Sequence, residues 1–459
     1  MTGKELVLSA IECKKTERTP WVPFCGVHTG HLLGIDAEEY LKSTDNIIAG
    51  LSKAVELYRP DGLPVVFDLQ IEAEILGCDL MWSKDNPPAV VSHPLADGSA
   101  TLEDLKIPEA TDGRIPLCVD ATRRMREKFP DIALYGLITG PFTLALHLRG
   151  ADIFMDMFDA PEKVHELLEY CTRVAQKMSE FYIEAGCDIV AVVDPMTSQI
   201  GPEQFAEYCH APCSAVFDHI RMKGAKGSFF VCGHAKNNIE VMCDCHCDNI
   251  SIDENIPLDY VRDICKEKKV SFGGNLQLTA VMLLGNEADN KVNAIECMDI
   301  GGKEGFILAP GCDMPFAAPP ENVQAVACVV HSEDEQAIAR ELAKTHKREV
   351  ETIDLTGYGD SDKVKVDVIT LDSLGCAPCQ YMVEEVKHVV EPMNSEVEWK
   401  EHKIKDPMSI VMMNSLGVKN IPTLCIDGEI AFVSRIPSAK DLAKTIQKRI
   451  NMKKTKGLM

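Results

Sequence analysis

The sequence predicts an α/β protein in which a closed (β/α)8, or TIM, barrel is followed by a second, smaller α/β domain. Two observations predict it. Eight short apolar, β-branched runs alternate with helix-patterned segments between residues 20 and 309, the sign of a parallel sheet with helical crossovers. The alternation then stops at a charged helix and a polar loop, and a new series of strands and helices begins. A chain of 459 residues is too long for one ordinary domain and long enough for a full barrel with a partner domain.

The eight runs are 20–25, 64–68, 132–137, 188–194, 228–232, 249–253, 270–275 and 305–309. The long stretch between the second and third leaves room for an inserted excursion. A barrel gathers the carboxyl ends of its strands around one pocket, so His28, Asp68, Asp194, Cys232, His234, Asp253, Asn275 and Cys312 are expected at one mouth. The alternative is an open doubly wound sheet, because periodicity does not by itself settle closure. The barrel is assigned to residues 1–333, and a helical and polar linker to 334–363. The second domain is assigned to 364–459.

Hydrophobic residues at 46% and charged residues at 26% exclude global disorder. A formal charge of -24 opposes phosphate backbones and anionic lipid, so neither nucleic acid nor membrane is an expected partner. No apolar run approaches the roughly 20 residues that span a bilayer. The opening residues have no secretory apolar core, so a cytoplasmic location is expected. Nineteen cysteines in such a chain imply reduced thiols, metal ligands or redox chemistry rather than a disulfide framework. Cys13, Cys78, Cys118, Cys171, Cys187, Cys209, Cys213, Cys265, Cys297 and Cys328 lie in helical or apolar surroundings and read as packing residues.

Two cysteines stand apart. Cys232 in Ser228-Phe-Phe-Val-Cys-Gly-His234 and Cys312 in Gly305-Phe-Ile-Leu-Ala-Pro-Gly-Cys312 each sit where a strand gives way to a turn. On one barrel rim the pair is suited to a thiophilic metal. Cys243-Asp-Cys245-His246-Cys247 is also rich in soft ligands but falls on the opposite rim. It reads either as a second metal or redox site or as a thiol-rich turn.

In the second domain a strand at 364–371 precedes Cys376-Ala-Pro-Cys379, which opens a helix. A strand at 397–404, a helix at 407–416, a hairpin turning at Asp427-Gly428 and a helix from Ser438 follow. Exposed N–H groups and the positive end of a helix dipole lower a thiol pKa, so Cys376 is expected to attack and Cys379 to resolve. Asn420-Ile-Pro422-Thr423 resembles the cis-proline segment that faces the dithiol of thioredoxins. This domain resembles the thioredoxin-like disulfide oxidoreductases. The alternative, a zinc site completed by Cys425, lacks the usual ligand spacing.

The barrel carries Gly136-Leu-Ile-Thr-Gly-Pro-Phe-Thr-Leu-Ala145, Asp188-Ile-Val-Ala-Val-Val-Asp194-Pro195, Gly273-Gly-Asn275, and Gly311-Cys312 followed by Pro319-Pro-Glu-Asn322. On these residues it resembles the uroporphyrinogen decarboxylase superfamily, and within it the zinc-dependent corrinoid:thiol methyltransferases. The resemblance implies zinc held by Cys232, Cys312 and a His two residues before the first cysteine. Phe230 stands there instead, and His234 is the substitute candidate, with His28 and Asp194 as others. It further implies a methyl group moving between a corrinoid and a small thiol or a tetrahydrofolate-type acceptor. No Asp-x-His-x-x-Gly motif is present, so the methylcobamide is expected on a corrinoid partner protein.

Asp68 matches the catalytic aspartate of the decarboxylases, and Asp194 is a second catalytic candidate. His28, Asn275 and Pro422 are candidates for substrate contact. The segment 21–34 holds no Arg or Lys, which disfavours a substrate with many carboxylates. Methyl transfer is therefore the leading reading, with the dithiol domain keeping thiols reduced and itself recharged by a disulfide reductant. The alternatives are a decarboxylase-like lyase and a non-enzymatic thiol-based metal or redox sensor.

Overall fold

The computed structural model describes residues 1–346 and 351–458 and divides into two compact units, 1–346 and 347–459. In the first, seven parallel strands run in sequence order: Gly62–Pro64, Ala133–Thr139, Ile189–Val193, Lys226–Val231, Asn249–Ile252, Ser271–Leu276 and Phe306–Pro310. All register pairs between neighbours are parallel. Strands such as Ile189–Val193 are buried at every position, as expected where helices cover the outer face and side chains fill the inside.

The segment at 20–22 closes the sheet. Val22 N–H donates to the Leu308 carbonyl at 3.0 Å, and Leu308 N–H to Pro20 at 2.9 Å. On the other edge Asp61 N–H donates to Trp21 at 2.8 Å. The barrel thus has its eighth member, but the strand expected over 20–25 is reduced to one parallel bridge, Trp21 to Leu308. Pro20 and Pro23 supply no N–H to a ladder, so a regular strand cannot form across them. Asp61 compensates at this seam: its carboxylate accepts from Trp21 N–H at 2.8 Å and from Arg18 at 2.6 and 2.7 Å.

Helices fill the crossovers. The longest, Pro161–Ala185, starts on Pro and ends at Gly186, whose φ of 110° only glycine adopts readily. The excursion expected after the second strand contains a small antiparallel ribbon, Leu80–Met81 with Ala89–Val90. The charged helix Glu333–Thr345, assigned above to the linker, belongs with the barrel unit: Lys291 bonds Glu335 at 2.8 Å, and His346 reaches Asp289 at 2.7 Å. Inside the barrel, Phe24, Phe67, Tyr135 and Phe230 form an aromatic floor on which Cys232 and Cys312 pack.

The second unit is a four-stranded sheet in the order Val397–Lys403, Val364–Thr370, Thr423–Ile426, Glu429–Val433, with only the first pair parallel. Helices Ala377–Val390 and Ala439–Lys456 pack their Val, Met, Leu and Ile residues on it. The order of strands and helices is the one read from the sequence. Among the described residues no helix is long and apolar enough to cross a membrane.

Candidate active site

Cys232 follows the strand Lys226–Val231, and Cys312 follows Phe306–Pro310 by one glycine. Their Cα atoms are 6.0 Å apart and their sulfurs are joined as a disulfide. Two glycines make the approach possible. A Cβ on Gly311 would lie 2.6 Å from the Glu254 backbone nitrogen, and Gly233 turns the chain outward at φ +90°. Asp253 holds that turn by accepting the Gly233 N–H at 3.0 Å, and burial raises its own pKa against these bonds. His234 follows, partly buried, with an Nδ1 that is buried and has no hydrogen-bond partner among the described residues.

Several residues expected at the mouth are sealed into its walls. His28 is fully buried. Its Nδ1 bonds the Phe316 carbonyl at 3.0 Å and so carries the proton, which leaves Nε2 to accept from the Tyr58 hydroxyl at 2.7 Å. Burial holds its pKa down to about 4, so the ring is neutral. It anchors the loop after Cys312 through the Phe316 carbonyl. Asn275 is likewise withdrawn: its amide donates to the carbonyls of Asp253 at 3.1 Å and Ile256 at 2.7 Å.

Asp194 is buried and caps the helix Pro141–Arg149, accepting from the Thr143 N–H at 2.8 Å, the Thr143 hydroxyl at 2.6 Å and the Phe142 N–H at 3.1 Å. Burial raises its pKa to about 6 despite these bonds. Its carboxylate is engaged at the start of that helix, and its place in the fold is that of a support for the loop after the preceding strand, Ala133–Thr139. Asp68 is similarly engaged. Its Oδ2 lies 2.5 Å from Arg114 Nη1 and its Oδ1 accepts the Gln70 N–H at 2.9 Å, while Arg114 Nε reaches Glu74 at 2.7 Å and its guanidinium lies 4.9 Å from the Trp82 ring.

Arg114 and Asp313 are the residues that sequence reasoning missed. Arg114 comes from the excursion, 46 positions beyond Asp68, so nothing near the aspartate announces its cation. Asp313 adjoins Cys312 and accepts the Gly26 N–H at 2.8 Å, tying the loop after the closing segment to the loop that carries the cysteine. Burial pushes its pKa well above the usual carboxylate range. Its position beside Cys312 was the one available signal.

In the second unit Cys376 caps the helix Ala377–Val390 and is partly exposed, whereas Cys379 is fully buried; the two are joined as a disulfide, with Cα atoms 5.2 Å apart. The Ile421–Pro422 bond is cis. Preceding the dithiol, Asp372 loses solvent but receives Lys403 at 2.7 Å and Lys405 at 2.5 Å, and the two cations hold its pKa below the ordinary value.

Residues 2–333 match the uroporphyrinogen decarboxylase (URO-D) family, about seven-tenths of the chain. The chain belongs to the uroporphyrinogen decarboxylase family. Residues 363–447 match a thioredoxin domain. Within the family, the chain is 28% identical over 346 residues to a methylcobamide:CoM methyltransferase, MtaA, of Methanosarcina barkeri, covering 71% of this chain and 96% of the relative. It is 26% identical over 268 residues to methylcobamide:CoM methyltransferase MtbA of Methanosarcina acetivorans, covering 58% and 77%. A uroporphyrinogen decarboxylase of the Wolbachia endosymbiont of Brugia malayi is 24% identical over 309 residues, covering 64% and 84%. Among solved structures, a methyltransferase from Methanosarcina mazei superposes with a TM-score of 0.66 at 23% identity, covering 74% and 98%, which establishes the shared fold.

The family barrel bears on zinc through its donor atoms. Phe230 is 1% exposed and packs edge-on against Phe24 at 4.9 Å and Phe67 at 5.8 Å, so that position offers no ligand. Among the described residues no three His, Cys, Asp or Glu side chains are grouped for a metal as they stand. The sulfurs joined to one another cannot also be thiolates. In the dithiol state the donor set fits zinc in kind: two cysteine sulfurs and the orphaned Nδ1 of His234 on the same strand end.

Proposed function

We propose that the barrel transfers a methyl group between a corrinoid carried by a partner protein and a small thiol or tetrahydrofolate-type acceptor. In this reading reduced Cys232, Cys312 and His234 hold zinc at the mouth. The observation that carries the reading is the convergence of Cys232 and Cys312 from two strand ends 80 residues apart in sequence. The similarity to methylcobamide:CoM methyltransferases supports it.

Zinc bound there would supply Lewis acidity that lowers the pKa of an acceptor thiol, so that its proton would be lost to solvent near neutral pH. The chain's own residues do the rest. Phe24, Phe67 and Phe230 exclude water beneath the sulfurs, Asp253 orients the Gly233 turn that presents His234, and His28 with Asp313 fixes the loop of Cys312.

In the same proposal the fused dithiol maintains this site. The Cys376 thiolate attacks the Cys232–Cys312 disulfide, the barrel S–S bond breaks and releases one barrel cysteine as a thiolate, and Cys379 then attacks Cys376 of the mixed disulfide and displaces the other barrel cysteine. Two barrel thiols are regained and the Cys376–Cys379 disulfide is left for an external disulfide reductant. Partial exposure of Cys376 against full burial of Cys379 supports this order of attack.

The test is the anaerobic zinc content of the reduced chain beside Cys232→Ser, Cys312→Ser and His234→Ala, followed by methyl transfer from methylcobalamin to coenzyme M. About one zinc per chain in the wild type, lost in both cysteine variants together with activity, is the expected result. A reduced wild type that refuses zinc removes the thiolate-activation mechanism.

A further inference from the structure

The cysteine-rich turn noted in the sequence lies on the other side of the barrel. Cys243 ends the helix Ile239–Cys243, which leads into the strand Asn249–Ile252, and Cys265 lies on the helix Leu258–Lys268, which leads into Ser271–Leu276. Both therefore stand toward the amino-terminal rim, away from the rim of Cys232 and Cys312. Their sulfurs approach to 3.9 Å.

The neighbouring thiols are otherwise engaged. Cys245 Sγ donates to the Val241 carbonyl at 3.3 Å and Cys247 Sγ to the Met242 carbonyl at 3.5 Å. Among the described residues no three metal-ligating side chains group here. The expectation of a second metal or redox site narrows to one pair of sulfurs.

The two members of the pair differ. Cys243 is 6% exposed and Cys265 is fully buried. Lys268, bonded to Asp244 at 2.9 Å, brings a positive charge close to Cys243. The hydrogen bond to Cys243, with burial, raises the pKa of Cys265 and keeps its proton in place. Of the pair, Cys243 keeps the slight exposure there is and Cys265 lies behind it with none, the order of an attacking and a resolving cysteine.

We propose that Cys243 and Cys265 form a second redox-active dithiol, oxidised by hydroperoxides to a disulfide that ties the two helices together. The Cys243 thiolate attacks a peroxide oxygen, the O–O bond breaks, and a sulfenic acid and one water (or alcohol) result. Cys265 then attacks that sulfur, the S–S bond forms, and the sulfenic oxygen leaves as water with the Cys265 proton. Two thiols lose two electrons in all, and one hydroperoxide is reduced. Closing the bond requires the sulfurs to move from 3.9 Å to about 2.05 Å.

The experiment uses the full, pre-reduced chain exposed anaerobically to graded hydrogen peroxide, then blocked with an alkylating agent, digested and mapped by mass spectrometry. The expected product is a peptide joining Cys243 to Cys265 in the wild type, absent from Cys243→Ser and Cys265→Ser. Cys265→Ser should accumulate dimedone-reactive sulfenic acid at Cys243, and Cys243→Ser should show none at Cys265. Linkage of Cys243 to Cys245 or Cys247 instead, or no 243–265 link at a dose that joins Cys376 to Cys379, overturns the proposal. The wild-type map decides this even where a variant fails to fold, and it does not depend on activity at the barrel mouth.

Discussion

Arg114 stands 2.5 Å from Asp68, an ion pair whose carboxylate is fully buried and whose guanidinium is only 11% exposed. A carboxylate so held neither lacks a cation nor is free to act alone. Removing one partner strands a buried charge, which costs about 3 kcal/mol or more. Arg114→Ala should therefore lower stability by that amount in urea denaturation, and Arg114→Leu combined with Asp68→Leu should recover most of it. Equal losses in the single and double variants would refute the pairing.

His28 makes stability depend on pH. Its pKa falls from an ordinary 6.5 to about 4 on folding because the ring is buried, so below about 6.5 the unfolded chain takes up a proton that the folded chain refuses. Its stabilising contribution is full above that pH and is lost as pH falls toward 4, by about 3 kcal/mol. Urea midpoints of wild type and His28→Gln should diverge at neutral pH and converge near pH 4. Parallel curves would show that the ring titrates freely.

Phe230→His restores the His-x-Cys spacing of the resemblance near the end of the strand Lys226–Val231, two residues before Cys232. Burying an imidazole among Phe24 and Phe67 should cost about 2 kcal/mol without metal. With metal it should retain zinc against a chelator better than wild type, and a further His234→Ala should no longer release it. If zinc retention still depends on His234, the imidazole at 230 does not reach the metal.

Cys379→Ser should impair methyl transfer after mild oxidation yet leave it unchanged in excess reductant. Without a resolving thiol, Cys376 should accumulate in a mixed disulfide with Cys232 or Cys312, detectable as a linked peptide. Equal loss of activity in both conditions would exclude a purely reductive role for the second domain.

Much of this was legible in the chain. Apolar β-branched runs such as Ile189–Val193 declare strands because a parallel sheet covered on both faces needs no polar alternation, and Cys-Ala-Pro-Cys at a helix start with Ile-Pro before a strand declares the second domain. Cys232 and Cys312 were readable as mouth residues because the period of the fold places strand ends together. What local sequence cannot carry is the direction a polar side chain takes once neighbours from distant segments arrive. His28 turns to Tyr58 and Phe316, Asp194 to the amides of Phe142 and Thr143, and Asp68 to Arg114. Each buried polar group takes the partner that best offsets its desolvation, and those partners come from elsewhere in the chain. The first strand shrank to a bridge because Pro20 and Pro23 offer no N–H to a ladder, and the helix Glu333–Thr345 joined the barrel through ion pairs. The sequence set the periodicity and the chemistry available; tertiary packing decided which of those groups face the mouth and which hold it in shape.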